Sequence, residues 1–139
     1  MVYKKPLRGI AQYMQGTSRE AEVNEASPHR LIQMLMEAAL GHLSAAKGDL
    51  ERKDDLAFAQ HVSRAQRIIT ELRTSLDFEK GQEVAITLNS LYDYMGRRLA
   101  QAGSSPNGEA INEVMNLMKP VKEAWDEIKE EEEKILGDN

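Results

Sequence analysis

The sequence predicts an all-α protein: an antiparallel up-down four-helix bundle with a short, mobile N-terminal helix in front of it. Three observations predict this. Four long segments carry apolar residues at alternating steps of three and four, the spacing of helices packed nearly antiparallel. The connectors between them, LERKDD, FEKGQ and GSSPNG, are short, so consecutive helices must run up and down as neighbours. No stretch shows the two-residue alternation of a half-buried strand.

Residues 1–25 read as a flexible, polar leader. Within it Leu7, Ile10, Tyr13 and Met14 fall at helical spacing, which predicts a short helix that needs a surface to fold against. GTSREAEVNEA then reads as a linker. The first long helix is predicted from Pro28 to Leu50. Ser27 is its cap, and Pro28 suits a first position whose N–H is unpaired in any case. Leu31, Ile32, Met34, Leu35, Met36, Ala38, Ala39 and Leu40 cover roughly two thirds of its circumference at about 100° per residue. A surface helix needs an apolar stripe only about 100° wide. Leu35, Ala39, Leu43 and Ala46 lie mid-arc and predict core; Met34 marks one edge, Met36 and Leu40 the other.

The second helix is predicted from Asp55 to Asp77, with Phe58, Val62, Ala65, Ile69, Leu72 and Leu76 on one stripe. The third is predicted from Gln82 to Ala102, with Val84, Leu88, Leu91, Met95, Leu99 and Ala102 as its stripe. Ile86 lies almost opposite that stripe, Tyr94 well off it and Tyr92 on its flank, with Arg97 and Arg98 alongside. The fourth is predicted from Pro106 or Asn107 to Lys134, carrying Ile111, Val114, Met118, Val121, Trp125 and Ile128. Pro120 predicts a kink, because it removes one helical hydrogen bond and crowds the carbonyl of Asn116. The 139 residues fit one domain: leader 1–25, bundle 26–135, tail 136–139.

Composition excludes several functions. A formal net charge of −5 argues against nucleic acid or an anionic membrane as partner, since both select a basic face. The chain has no cysteine, so it has no disulfide, thiolate metal site or thiol nucleophile. No apolar run reaches membrane-spanning length, and MVYKKPLRGI lacks the apolar centre of a signal peptide. A cytoplasmic protein without membrane insertion is expected. His29, His42 and His61 share no ligand spacing with one another or with nearby carboxylates, and there is no glycine-rich phosphate loop. His42 is followed only distantly by Lys47 and Gly48, unlike the arrangement in histidine phosphotransfer bundles, and it falls within the apolar arc as a structural histidine. EEEE at 130–133 reads as a solvated helix end. The chain is therefore expected to be no enzyme and to hold no metal or cofactor.

Two stretches carry a family resemblance. ASPHRLIQMLMEAA, residues 26–39, resembles the Ser-Pro-x-x-Leu-Ile-x-Met-Leu-Tyr/Phe-Asp-Gly-Ala stretch that opens the main helix of FliS-type flagellar secretion chaperones. SLDFEKGQEVAITLNSLYDYMGRRLAQA, residues 75–102, is similar to that family's block running from Ser-Leu-Asp through Gly-Gly-Glu-Ile-Ala to Leu-Tyr-Asp-Tyr-Met-x-Arg-Arg-Leu. The tryptophan in KEAWDEI fits as well. The departures are Met36, Glu37 and Ala38 for the aromatic, Asp and Gly, Gln82 for the second Gly, and Thr87 for an Asn.

The resemblance implies a bacterial flagellum biogenesis chaperone that binds newly made flagellin in the cytoplasm. It implies recognition of the disordered flagellin C-terminal segment in apolar grooves, prevention of premature polymerisation, and delivery to the flagellar type III export gate. It also implies that the leader, with Ile10 and Tyr13, lies near the cargo surface and can occupy it. The residues expected to bind partner are Ile10, Tyr13, Leu31, Met34, Met36, Leu40, Ile86, Tyr92, Tyr94 and Arg98. Methionines at a groove edge repack readily around cargo, and Arg97 and Arg98 are expected to orient an acidic or carbonyl-rich part of it. The alternative is an assembly or scaffold protein whose surplus apolar face closes a homodimer. A monomer or weak dimer is expected.

Overall fold

Each helix starts where a short polar side chain caps it. The computed structural model describes residues 2–4 and 26–128, and four helices make up nearly all of that: α1 (Pro28–Glu51), α2 (Asp55–Thr74), α3 (Phe78–Ser104) and α4 (Gly108–Glu127). Ser27 Oγ accepts from Arg30 N–H (3.1 Å), Asp54 from Ala57 (3.1 Å), Asp77 from Lys80 (3.0 Å), and Asn107 from Glu109 (2.9 Å) and Ala110 (3.3 Å). Each satisfies backbone donors that the first turn leaves orphaned.

α1 packs against α2 and α4, and α3 packs against the same two. The end of α4 meets the start of α1, where the Trp125 indole N–H donates to the His29 carbonyl (3.0 Å). The start of α4 meets the end of α1, where a side chain added at Gly108 would stand 3.2 Å from Leu50. This is the antiparallel four-helix bundle that the stripes predict. Among the described residues the only β pairing is a single bridge between Tyr3 and Leu76.

The breadth of the apolar arc on α1 has a structural explanation. Leu31, Ile32, Met34, Leu35, Met36, Ala39, Leu43 and Ala46 are all buried, because α1 is sealed by α2 on one flank and α4 on the other. Leu31 and Met34, expected at a binding surface, are core, and Leu40 is half-buried against that core.

α3 departs from expectation twice. It begins at Phe78 rather than Gln82, because Asp77 caps a first turn that ends at a break: Gln82 has φ 48° and ψ −125°. Its inward stripe is Ala85, Leu88, Tyr92, Met95, Leu99 and Ala102, one residue out of register with Val84 and Leu91 at its start. Tyr92, expected on the flank, is buried, while Val84 is 56 % exposed and Leu91 only partly covered. α2 ends at Thr74, three residues early, and Leu76 is still buried beyond its end. α4 runs through Pro120 as one helix. Its expected extension to Lys134 lies outside the described residues after Ile128, as does the leader helix with Ile10 and Tyr13.

The far half of the α1–α2 contact holds a buried carboxylate. Asp49 accepts from Arg52 (2.8 Å) and pairs with His61 Nδ1. Burial pushes its carboxyl up, but the His61 and Arg52 bonds outweigh this and hold it below the usual range. His42 packs its ring against His61 at 5.6 Å; burial first, then His61 and Arg64, push its pKa below 6.5.

Gln82 sits at a positive φ that only glycine adopts without strain, so Gln82→Gly should stabilise the protein by about 1 kcal/mol in urea unfolding; a loss of stability would contradict the strain. His42 and Asp49 both have depressed native pKa values, so each favours folding above its unfolded-state value and loses that contribution as pH falls. The thermal midpoint should therefore fall between about pH 7.5 and about pH 5.5, chiefly through His42, and His42→Gln should flatten the fall; an unchanged pH profile in the variant would contradict the assignment.

Candidate functional site

The N-terminal residues lie across one end of the bundle. The Asp77 N–H donates to the Val2 carbonyl (2.7 Å) and the Lys4 N–H to the Ser75 carbonyl (2.6 Å), so three residues are stitched to the α2–α3 connection. The side chain between these bonds is Tyr3, which is fully buried. Its ring meets Trp125 edge-on at 5.1 Å, and its hydroxyl shares a hydrogen bond with that of Tyr92. Burial pushes the Tyr3 phenol up to about 12 and the Tyr92 phenol well above the ordinary value, so both stay neutral. Gly81 makes the approach possible: a Cβ there would sit 2.9 Å from Ala85 Cβ and 3.2 Å from the Val2 backbone.

Because Tyr92 points inward, the opposite shoulder of α3 is left facing α4. Here lies an open cavity of about 340 Å³. Val84 and Leu88 of α3 form one wall, Pro120, Val121, Ala124, Trp125 and Ile128 the other, with Val2, Tyr3 and Met36 also lining it. Among the described residues no charged side chain lines it. Its volume is at the small end of ligand pockets, about 300–1,000 Å³, and its lining suits apolar side chains. Met36 is buried and borders this cavity.

Further along the same seam the polarity reverses. Arg98 Nε and the Tyr94 hydroxyl both donate to Oε1 of Glu113 on α4, each at 2.7 Å. Arg98 also donates to Gln101 (2.9 Å), and the Arg97 guanidinium lies 5.9 Å from the Tyr94 ring centre. Hydrogen bonds from Tyr94 and then Arg98 hold the Glu113 carboxyl below its usual pKa. Arg97 itself pairs with Asp93 (3.2 Å).

The expected partner-binding residues therefore separate. Tyr94 and Arg98 cluster at the polar end of the seam, and Met36 borders the cavity. Ile86 is exposed, 58 %, as its phase predicts, but is not part of the cavity wall. Leu31, Met34 and Tyr92 are buried in the core and Leu40 is half-buried against it. Val84, Leu88, Val121 and Ala124 escape a reading of the sequence because they scan as ordinary stripe or neutral surface. The signal that could have found them is Tyr92: an inward tyrosine needs a partner for its hydroxyl, and accommodating it turns Val84 outward.

A side chain at Gly81 must displace either Ala85 or the Val2 backbone. Gly81→Ala should therefore loosen the N-terminal residues, and amide exchange at Lys4 and Asp77 should accelerate by about tenfold or more while α1 amides keep their protection. Unchanged exchange at both positions would show that the contact has room to give.

Among the described residues no group of histidines, cysteines or carboxylates could hold a metal ion, and no helix is long and apolar enough to cross a membrane. What the geometry defines is a helical bundle with a small apolar cleft between α3 and α4. Comparison with known sequences places it. The family described as flagellar protein FliS matches residues 10–132. The chain is 41 % identical over 122 residues to the flagellar secretion chaperone FliSB of Pseudomonas aeruginosa, covering 88 % of this chain and 96 % of that protein. It is 45 % identical over 121 residues to the flagellar secretion chaperone FliS of Salmonella typhimurium, covering 86 % and 89 %, and 30 % identical over 122 residues to that of Vibrio cholerae, covering 88 % and 90 %. The chain belongs to the FliS family, which is a family of chaperones and not of enzymes.

Proposed function

We propose that this protein is a cytosolic export chaperone that takes the disordered C-terminal segment of flagellin into the α3–α4 cleft. Held there, the segment is kept from premature polymerisation until the complex reaches the flagellar type III export apparatus. The observation that carries this reading is the uncharged cavity with Val84 more than half exposed at its lip. An apolar cleft open to water, walled by two rigid helices, suits the apolar face of an amphipathic segment that folds as it docks. The net charge of −5 adds no attraction for an acidic or nucleic-acid partner, so burial of apolar surface drives the association. Ile10 and Tyr13 of the leader are proposed to meet the same cleft or the cargo in it.

The protein supplies its own reporter, since Trp125 is its one tryptophan and lines the cavity. Adding a flagellin C-terminal fragment should change its emission. Calorimetry should return a strongly negative heat-capacity change, the mark of apolar burial and coupled folding, with weak dependence on salt. Val84→Asp should weaken binding about tenfold or more while leaving stability within about 0.5 kcal/mol, as exposed substitutions do. Undiminished binding by Val84→Asp, or a tight homodimer indifferent to flagellin, would contradict the proposal.

A further inference from the structure

The polar end of the α3–α4 seam carries an acceptor that is positioned but only half used. Glu113 takes both of its donors on one oxygen: Tyr94 and Arg98 each reach Oε1 at 2.7 Å. Oε2 has no hydrogen-bond partner among the described residues, and the side chain is 41 % exposed. The carboxylate is also held still. Arg98 is tied to Gln101 and Tyr94 lies under Arg97, so the donors that fix Oε1 are themselves fixed. The bond from Arg98 is part-buried and the one from Tyr94 exposed, and both tie α3 to α4 while leaving Oε2 open. An acceptor ordered in advance is what lowers the cost of binding.

We propose that Glu113 is the polar stop of the cleft and receives the N-terminal turn of the helix that docks there, so that the bound helix runs from Glu113 toward Ile128. This rests on the reading of the cleft as a cargo site and adds its direction. The chemistry selects one end of a helix. A first turn leaves four backbone N–H groups without partners and carries a partial positive charge, whereas a last turn presents carbonyl oxygens and a partial negative charge. Glu113 stays ionised under its two donors and therefore accepts the first and repels the second. The spacing fits: from Glu113 to Ala124 is eleven residues of α4, about 16 Å or three helical turns. Half-buried Leu91 and Leu117 fall between the carboxylate and the cavity. Arg98, which the sequence marks as a direct cargo contact, spends its Nε and one Nη on Glu113 and Gln101 and holds the carboxylate in place instead.

The test uses the full chain and the flagellin C-terminal fragment. Glu113→Gln keeps an amide oxygen for Tyr94 and Arg98 but removes the charge. Its thermal midpoint should fall by no more than about 3 °C, since the pair is only part-buried and its hydrogen bonds keep an acceptor, while affinity falls about tenfold, the size of a charged hydrogen bond lost. Direction is read separately. The chain has no cysteine, so Asn112→Cys accepts a single paramagnetic label beside Glu113, and the label should broaden the fragment's resonances at the N-terminal turn of its bound helix. Failure of the unsubstituted protein to bind the fragment would overturn the cargo reading itself. Binding by the parent that Glu113→Gln matches within about twofold, or broadening at the helix C-terminal turn, would overturn the role of Glu113 alone.

Discussion

Two buried phenols set the shape of this molecule. The Tyr92 hydroxyl is taken out of water and needs a partner; Tyr3, brought in by backbone bonds to Ser75 and Asp77, provides it. The same side chain packs edge-on against Trp125 at the end of α4. One residue near the N-terminus thus ties α3 and α4 at the level where the bundle ends. The tie decides which way α3 faces. With Tyr92 inward, Ala85 is inward too, and Val84 is turned out toward α4, where with Leu88 it walls the cleft. The cleft is the remainder left by packing a tyrosine pair.

That remainder sits between two rigid walls of different character. α3 offers branched aliphatic side chains, and α4 offers Pro120, Val121 and Ala124, small or compact groups over which another backbone can pass closely. Pro120 takes no hydrogen-bonding N–H to this surface, so the rim contributes apolar area without an unsatisfied donor. At the opposite end the Tyr94, Arg98 and Glu113 cluster bounds the apolar stretch with charge. On the proposal made above, the apolar stretch supplies affinity for a partner and the carboxylate its orientation.

The sequence made the architecture legible because it depends on long-period patterns. The helix start at Pro28 follows from Ser27 as its cap, and the stripes of α2 and α4 project correctly. The phase of α3 was not legible, for two physical reasons. Gln82 adopts a backbone conformation with no signature in a glutamine, so the first turn from Phe78 does not run in phase with the rest of α3. The partner that draws Tyr92 inward stands 89 residues away, and no local periodicity reports a contact of that range. The broad arc on α1 invited the opposite error. Met34 and Leu31 look surplus for a helix with one neighbour, but α1 has two.

Methyl resonances offer the most direct view of whether the cleft, and not the exposed shoulder of α3, is where a partner sits. Titrating the isotope-labelled protein with a flagellin C-terminal fragment should move Val84, Leu88, Val121 and Ile128, which wall the cavity, and leave Ile86 and Leu56, exposed but outside it, where they were. Perturbation centred on Ile86 and Leu56, with the cavity methyls still, would contradict the account.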